Sequence, residues 1–283
     1  MRKTCLGLFS AAILGLSLSS CLGDGGEQSI TSQNEFGVIK VVSESGVSVT
    51  AATMARGVNI TGGDITGYSA GDVVLVSYKA NLNDFINSTT IKAEYATIDA
   101  SSGVFKVANQ VSVTEGSVGD NTPSASTAFT GFTSKYGNSA QTFSNRWLVS
   151  VSANIRKDQE IRGIELYYDE NDQTLPANLG LTLPEDAIVL DVKLLKTTPT
   201  SESTDTAVKS KDIAVDLTSL RRLNPKQMSE TATGKTLYIW LRYPKYTTSD
   251  QKYAVAVMQN AFGITYYTVS YTHLRAHETG RNL

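Results

Sequence analysis

Cysteine and histidine are almost missing from this 283-residue chain, which carries two of each. Both cysteines, Cys5 and Cys21, lie near the N-terminus, so nothing after residue 21 offers a thiol for a disulfide, a zinc site or a nucleophile. His273 and His277 both fall near the C-terminus. A Ser-His-Asp triad, a histidine metal site and a histidine general base are therefore excluded from everything before them. Charge is also scarce, at 18% of residues with a formal net charge of -2. That composition describes neither a disordered chain nor a coiled coil, and it argues against a nucleic-acid partner.

Long apolar runs are absent too. The most apolar stretch, residues 6–18, is too short and too interrupted to span a bilayer, and it follows the positive pair Arg2 and Lys3. This is the layout of an export signal over residues 1–20. It ends in Leu18-Ser19-Ser20-Cys21, which resembles the bacterial lipobox. The resemblance implies cleavage before Cys21, a diacylglyceryl thioether on its sulfur and an acyl chain on its new amine. Several chains, each buried CH₂ contributing about 0.8 kcal/mol, make a stable anchor where one would be marginal. An acidic flexible tether, Leu22-Gly23-Asp24-Gly25-Gly26-Glu27, opens the segment 21–34. It resembles the signals that Bacteroidetes place after the lipid-bearing Cys to send lipoproteins to the outer face of the outer membrane. At the other end, residues 269–279 back-translate to a transposase-based sequencing adaptor over eleven consecutive codons. Residues 269–283 are therefore expected to be a non-native tail, and the native chain to be cut near Thr268.

What is present in quantity is β pattern. Residues 36–42 and 46–53 are β-branched runs joined by Ser43-Glu44-Ser45-Gly46, and 73–80, 90–98 and 104–113 follow, separated by Gly and Asp turns. About five strands in so short a stretch suit a small Greek-key barrel, here an OB-like β-barrel domain over 35–114. Composition then shifts to Ser, Thr and Gly, which predicts a linker over 115–143. From Trp147 to Ile155 apolar and polar residues alternate, and 161–168, 187–195, 213–217, 235–243, 252–258 and 264–268 continue the series. With a long polar loop over 197–210, this predicts an antiparallel β-sandwich over 144–268. The one helical candidate, 217–228, is broken by Pro225. The fold expected is all-β.

The lipobox, a barrel containing Ala70-Gly71-Asp72-Val73-Val74-Leu75-Val76-Ser77-Tyr78, and a sandwich containing Asp212-Ile213-Ala214-Val215-Asp216-Leu217-Thr218-Ser219-Leu220 together resemble the NigD-like lipoproteins of Bacteroidetes. That resemblance implies a cell-envelope lipoprotein with no catalytic residues to carry over.

Four local features have chemical content. Asp169-Glu170-Asn171-Asp172 clusters oxygen ligands but lacks the Gly and distal Glu of a calcium loop, so no metal site is assigned. Tyr238, Trp240 and Arg242 share one face of a strand and form a candidate platform on which a sugar ring could stack. Asp205-Thr206-Ala207 resembles the Asp-Ser/Thr-apolar acceptor for O-glycosylation of exported Bacteroidetes proteins, with Thr206 as the acceptor in the 197–210 loop. Arg56 follows the first β-rich run, where a fimbrillin-type subunit would be cleaved. The function expected is that of a lipid-anchored envelope protein of binding or protein-interaction type, without catalytic residues or cofactor. It would be attached to the outer membrane through Cys21, on its surface-exposed or its periplasmic face, with another envelope protein or a glycan as partner. The alternative is a fimbrillin-type structural subunit polymerising by strand donation.

Overall fold

The computed structural model describes residues 16–19, 29–54, 57–119, 129–134, 145–175, 180–185, 187–202, 204–220, 235–244, 253–256 and 263–266. The chain is all-β. A short strand β1 (Leu16–Ser19) lies antiparallel to the start of β2 (Ser29–Glu44), which turns at Ser45 and Gly46 into β3 (Val47–Met54) and then β4 (Asn59–Thr61). Ser45 and Gly46 have φ of 51° and 81°, the pair of positive values that a two-residue hairpin turn requires. After a single 3₁₀ turn come β5 (Val73–Asn81), helix α1 (Leu82–Asn87), β6 (Thr90–Lys92), β7 (Tyr95–Ile98) and β8 (Val104–Phe105). The Asn81 side chain caps α1 by accepting from the Asn83 N–H.

Closure of the first sheet depends on the segment 90–98, which reads as one strand in the sequence and serves as two. β6 runs parallel to β4, and β7 runs antiparallel to β5. Between them the Ala93 N–H donates to Thr61 O at 3.0 Å and the Glu94 N–H to Lys79 O at 2.8 Å. One stretch of chain thus joins both ends of the β4-β3-β2-β5 path, and the sheet becomes the expected small OB-like barrel. Ile39, Ala52, Met54, Ile60, Val74, Val76 and Tyr78 fill it, each fully buried.

The second unit contains β9 (Val111–Glu115), β10 (Phe129–Ser134), β11 (Arg146–Arg156), β12 (Ile161–Tyr168), β13 (Ala187–Lys196), β14 (Thr206–Asp216), β15 (Lys235–Pro244), β16 (Tyr253–Ala256) and β17 (Gly263–Tyr266). Two layers, β10-β11-β14 and β12-β13-β15-β16, are joined at one corner by β9, which bonds to both β14 and β12. Trp147, Val149, Val151, Ala153 and Ile155 of β11 face Ile164, Leu166, Ile188, Leu190, Val192 and Leu241 across the core. The sandwich is mixed, which corrects the antiparallel expectation: β9 is parallel to both of its neighbours and β13 is parallel to β15. Residues 187–192 are buried without alternation because the loop after β12 covers the outer face of β13, with the Gln173 amide bonded to both backbone groups of Val189.

Three segment boundaries move. The run 104–113 divides into β8, a 3₁₀ turn over Val107–Asn109 and β9, so β9 belongs to the sandwich and the barrel's described strands end at Phe105. The tether expected over 21–34 gives way to β2 at Ser29, where Ile30 is buried and residues 29–32 pair with β5. The linker expected over 115–143 contains β10, whose Phe129 and Phe132 rings meet Tyr243 at 5.2 and 6.2 Å and are anchored in the core. Sparse aromatics inside a Ser/Thr-rich stretch were the signal for that strand.

A third cluster locks the two units together. Phe36 and Val38 of β2 and Val73 of β5 are buried on the outside of the barrel against Leu148 of β11 and Ala214 of β14, with Leu75 and Phe105 at its rim.

Candidate functional site

The junction beside that cluster carries a network of polar bonds. Gly71 turns the chain into β5 with φ of 92°, and Asp72 follows with only 1% of its surface exposed. Its Oδ2 accepts from Lys106 Nζ at 2.9 Å and from the Ser69 N–H at 3.1 Å, and its Oδ1 from the Val107 N–H at 3.0 Å. Burial pushes the Asp72 carboxyl up, but the Lys106 hydrogen bond and the two amide donors outweigh it and hold the group below its ordinary value. The Lys106 ammonium also sits 4.8 Å from the centre of the Tyr68 ring. Gln110 Nε2 donates to Gly71 O and Phe105 O at 2.9 and 3.0 Å, fixing the chain as it crosses to the sandwich. On the far side Arg146 Nη1 donates to Asp216 Oδ1 at 2.7 Å and to Thr218 Oγ1 at 3.1 Å. These bonds fasten the turn before β5 to the chain that leaves the barrel, and the start of β11 to the end of β14.

A second polar site lies on the outer face of β15, where the stacking platform was expected. Ile239, Leu241 and Tyr243 point into the core, and Trp240 and Arg242 point outward. Trp240 is half-buried, while the side chain of Tyr238 lies outside the described residues. Arg242 is committed elsewhere: Nε and Nη2 grip Asp191 of β13, Nη1 donates to Thr174 O at 2.9 Å, and Nη2 also reaches Asp172 Oδ2 at 2.8 Å. The Asp191 and Asp172 carboxylates raise the Arg242 pKa further, and Arg242 in turn lowers that of Asp172. With 14% of its side chain exposed, Arg242 serves as a clamp, its N–H groups engaged by Asp191, Thr174 and Asp172. The loop after β12 completes this cover, since the Gln173 amide bonds both the N–H and the C=O of Val189, at 2.8 and 3.1 Å.

The same clamp accounts for the oxygen cluster at 169–172. Asp169 Oδ1 accepts from the Asn171 N–H and Asp172 Oδ1 from Thr174 Oγ1, a polar turn pinned by Arg242. Asp191, the buried partner, was missed in the sequence. Its signal was a lone acid inside the apolar run Ala187-Ile188-Val189-Leu190-Asp191-Val192.

Thr206 is exposed as expected, but it opens strand β14 opposite Arg156, so the loop expected over 197–210 ends at Asp205. That loop is tied to the β11–β12 turn by Asp158, whose Oδ2 accepts from the N–H groups of Thr200 and Ser201 at 2.8 and 2.7 Å. Cys21, Arg56, Pro225, His273, His277 and the tail 269–283 lie outside the described residues.

No family model matches the chain, and no curated protein matches it. Solved structures do. An uncharacterized protein from Parabacteroides merdae superposes with a TM-score of 0.54 at 15% identity, covering 78% of this chain and 94% of that one. A candidate lipoprotein from Bacteroides fragilis gives a TM-score of 0.44 at 14% identity, covering 82% and 95%. The first likeness shows that this two-unit β architecture occurs in a solved protein.

Proposed function

We propose that the chain is a lipid-anchored protein of the bacterial cell envelope that works by binding another envelope component, with no catalytic residue or cofactor. The observation that carries this reading is the spacing between Cys21 and the folded body. Cleavage before Cys21 would remove β1, and β2, the first strand beyond the cleavage point, begins at Ser29, eight residues after the lipobox cysteine. Eight extended residues reach at most about 28 Å, so a lipid on Cys21 would hold the barrel close to the membrane surface. Attachment to the outer membrane of a Bacteroidetes host, display on its outer face and kinship with the NigD-like lipoproteins are the finer parts of the proposal. The lipobox, the acidic residues after it and the pairing of an OB-like barrel with a sandwich support them. The partner is read as another envelope protein, because Arg242, one of the three residues expected to stack a glycan, has its N–H groups committed to Asp191 and Asp172.

The fimbrillin-type alternative draws no support from the described residues. Release of the first β-rich run would remove β2 and β3, which are central in the barrel and supply the fully buried Ile39, Ala52 and Met54. Membrane fractionation tests the main reading. The parental chain should partition with membranes and Cys21→Ser with the soluble fraction; unchanged partitioning of the variant would overturn it.

A further inference from the structure

The β2–β3 hairpin outlasts the barrel it starts in. Pairing of β2 with β5 stops at Val38, followed by one last contact in which the Ile39 N–H donates to Asp72 O at 2.9 Å and the Gly71 N–H donates to Ile39 O at 2.8 Å. The chain ahead of β5 then departs in the tight turn closed by the Asp72 N–H on Ser69 O at 3.0 Å. Residues 40–44 of β2 continue with β3 on one side only. Since Ile39 turns its backbone groups toward β5, so do Val41 and Ser43, two and four residues on. Among the described residues no backbone group bonds these two on that side. Val41 is 62% exposed, Val47 at the tip is 63% exposed, and Ser43 is exposed.

Such an edge is a template for another strand unless something blocks it. The sandwich shows what blocking looks like in this molecule. Lys209 and Lys211 of β14 stand opposite Ala153 and Val151, on the inner face of the sheet at its open margin, where Lys209 is half-buried and Lys211 exposed. Lys209 Nζ reaches Lys157 O at 3.0 Å and Glu160 Oε1 at 2.5 Å, and Lys211 Nζ reaches Arg162 O of β12 at 2.8 Å, closing the gap between the two layers. The β2 edge has no proline, bulge or inward charge over residues 41–43.

We propose that this edge pairs with the same edge of a second copy of the chain, antiparallel and centred on Val42. The sequence Lys40-Val41-Val42-Ser43-Glu44 is complementary to itself in that register. Val41 meets the second copy's Ser43 in a hydrogen-bonded pair, and Ser43 meets its Val41 in another. Val42 faces its own counterpart in a non-hydrogen-bonded pair, with Cα atoms about 4.5 Å apart. Lys40 comes opposite the second copy's Glu44 on the face shared with Val42, an opposite-charge cross-strand pair. A slip by one step in either direction loses a hydrogen-bonded pair, because Ile39 is already bonded to β5 and Ser45 lies in the turn. The two hairpins form a four-stranded sheet with the two bodies at opposite ends.

Disulfide trapping in the envelope of expressing cells tests this with the full chain. The central non-hydrogen-bonded pair has the Cα separation a disulfide needs. Val42→Cys should therefore give at least about tenfold more covalent dimer on oxidation than Ser48→Cys on the adjacent strand, with the parental chain as the background for its native thiols. Adding Val41→Pro removes only the outward N–H and should cut the yield at least about tenfold, with the far-UV circular dichroism of the purified variant unchanged. In the Val42→Cys background, Lys40→Glu alone and Glu44→Lys alone should each lower the yield, and co-expression of the two should restore it as a mixed dimer. Equal yields from Val42→Cys and Ser48→Cys, cross-linking to a protein other than a second copy, or no rescue on co-expression would each overturn the proposal.

Discussion

The Arg242 guanidinium and the Asp191 carboxylate meet through two bonds, Nε to Oδ1 at 2.5 Å and Nη2 to Oδ2 at 2.7 Å, across the neighbouring parallel strands β15 and β13. Their side chains are 14% and 9% exposed, so each is the main compensation for the other's loss of water. The same guanidinium reaches Asp172 and Thr174 and thereby fastens the loop after β12 to the sheet.

Arg242→Ala leaves the Asp191 carboxylate buried without its partner, and should destabilise the protein by about 3 kcal/mol. Urea unfolding followed by tryptophan fluorescence reads this directly. The double variant Arg242→Leu with Asp191→Leu should recover much of the loss, because no charge is then stranded. Equal losses in both variants would mean that packing, not charge, is what Arg242 contributes.

Gly63 has φ of 56°, and a Cβ there would lie 2.2 Å from Ala96 O, in the segment that closes the barrel. Gly46 shares the positive φ, at 81°, but has nothing within 4 Å of the added atom. Gly63→Ala should therefore lower the melting temperature well beyond Gly46→Ala, which carries only the backbone strain. Similar shifts from the two would contradict the close approach of residue 63 to the closing strand.

Asp158 is held at a pKa of about 2, chiefly by the Ser201 N–H. A carboxyl depressed from its unfolded value near 3.9 stabilises the fold above that pH, and the contribution fades as pH falls toward 2. Amide exchange at Thr200 and Ser201, corrected for its intrinsic pH dependence, should therefore rise between about pH 4 and pH 2. In Asp158→Asn that rise should be absent, and a rise of the same size would assign it to another group.

Much of the architecture could be read from residue pattern, and the places where it could not have physical causes. Alternation in β11 gave a core face, as found, and a second face on which Leu148 is buried against the barrel while Ser150, Ser152 and Asn154 are half-buried. The segment 90–98 carries no sign that it changes partners midway, because that switch is set by Thr61 and Lys79, distant in sequence. Residues 206–210 read as loop because Lys209 and Lys211 occupy inward positions, where pattern expects apolar side chains. Arg242 read as an exposed platform because alternation reports which face a residue occupies and not what covers it. The buried Asp191 that decides the matter lies on another strand.

Thr206 stands exposed at the start of β14, within reach of a modifying enzyme. If the Asp205-Thr206-Ala207 site is used, protein from a native host should weigh more than polypeptide plus lipid, and Thr206→Ala should abolish the excess. Identical masses for the two, equal to the unmodified value, would remove the site.

The anchor at Cys21 decides whether the protein belongs to the envelope membrane at all. Mass spectrometry of the N-terminal peptide from membrane-extracted protein addresses it in one step. The predicted result is a peptide that begins at Cys21, lacks residues 1–20 and carries a diacylglyceryl thioether and an amide-linked acyl chain. A peptide beginning elsewhere, or Cys21 with an unmodified thiol, would contradict it.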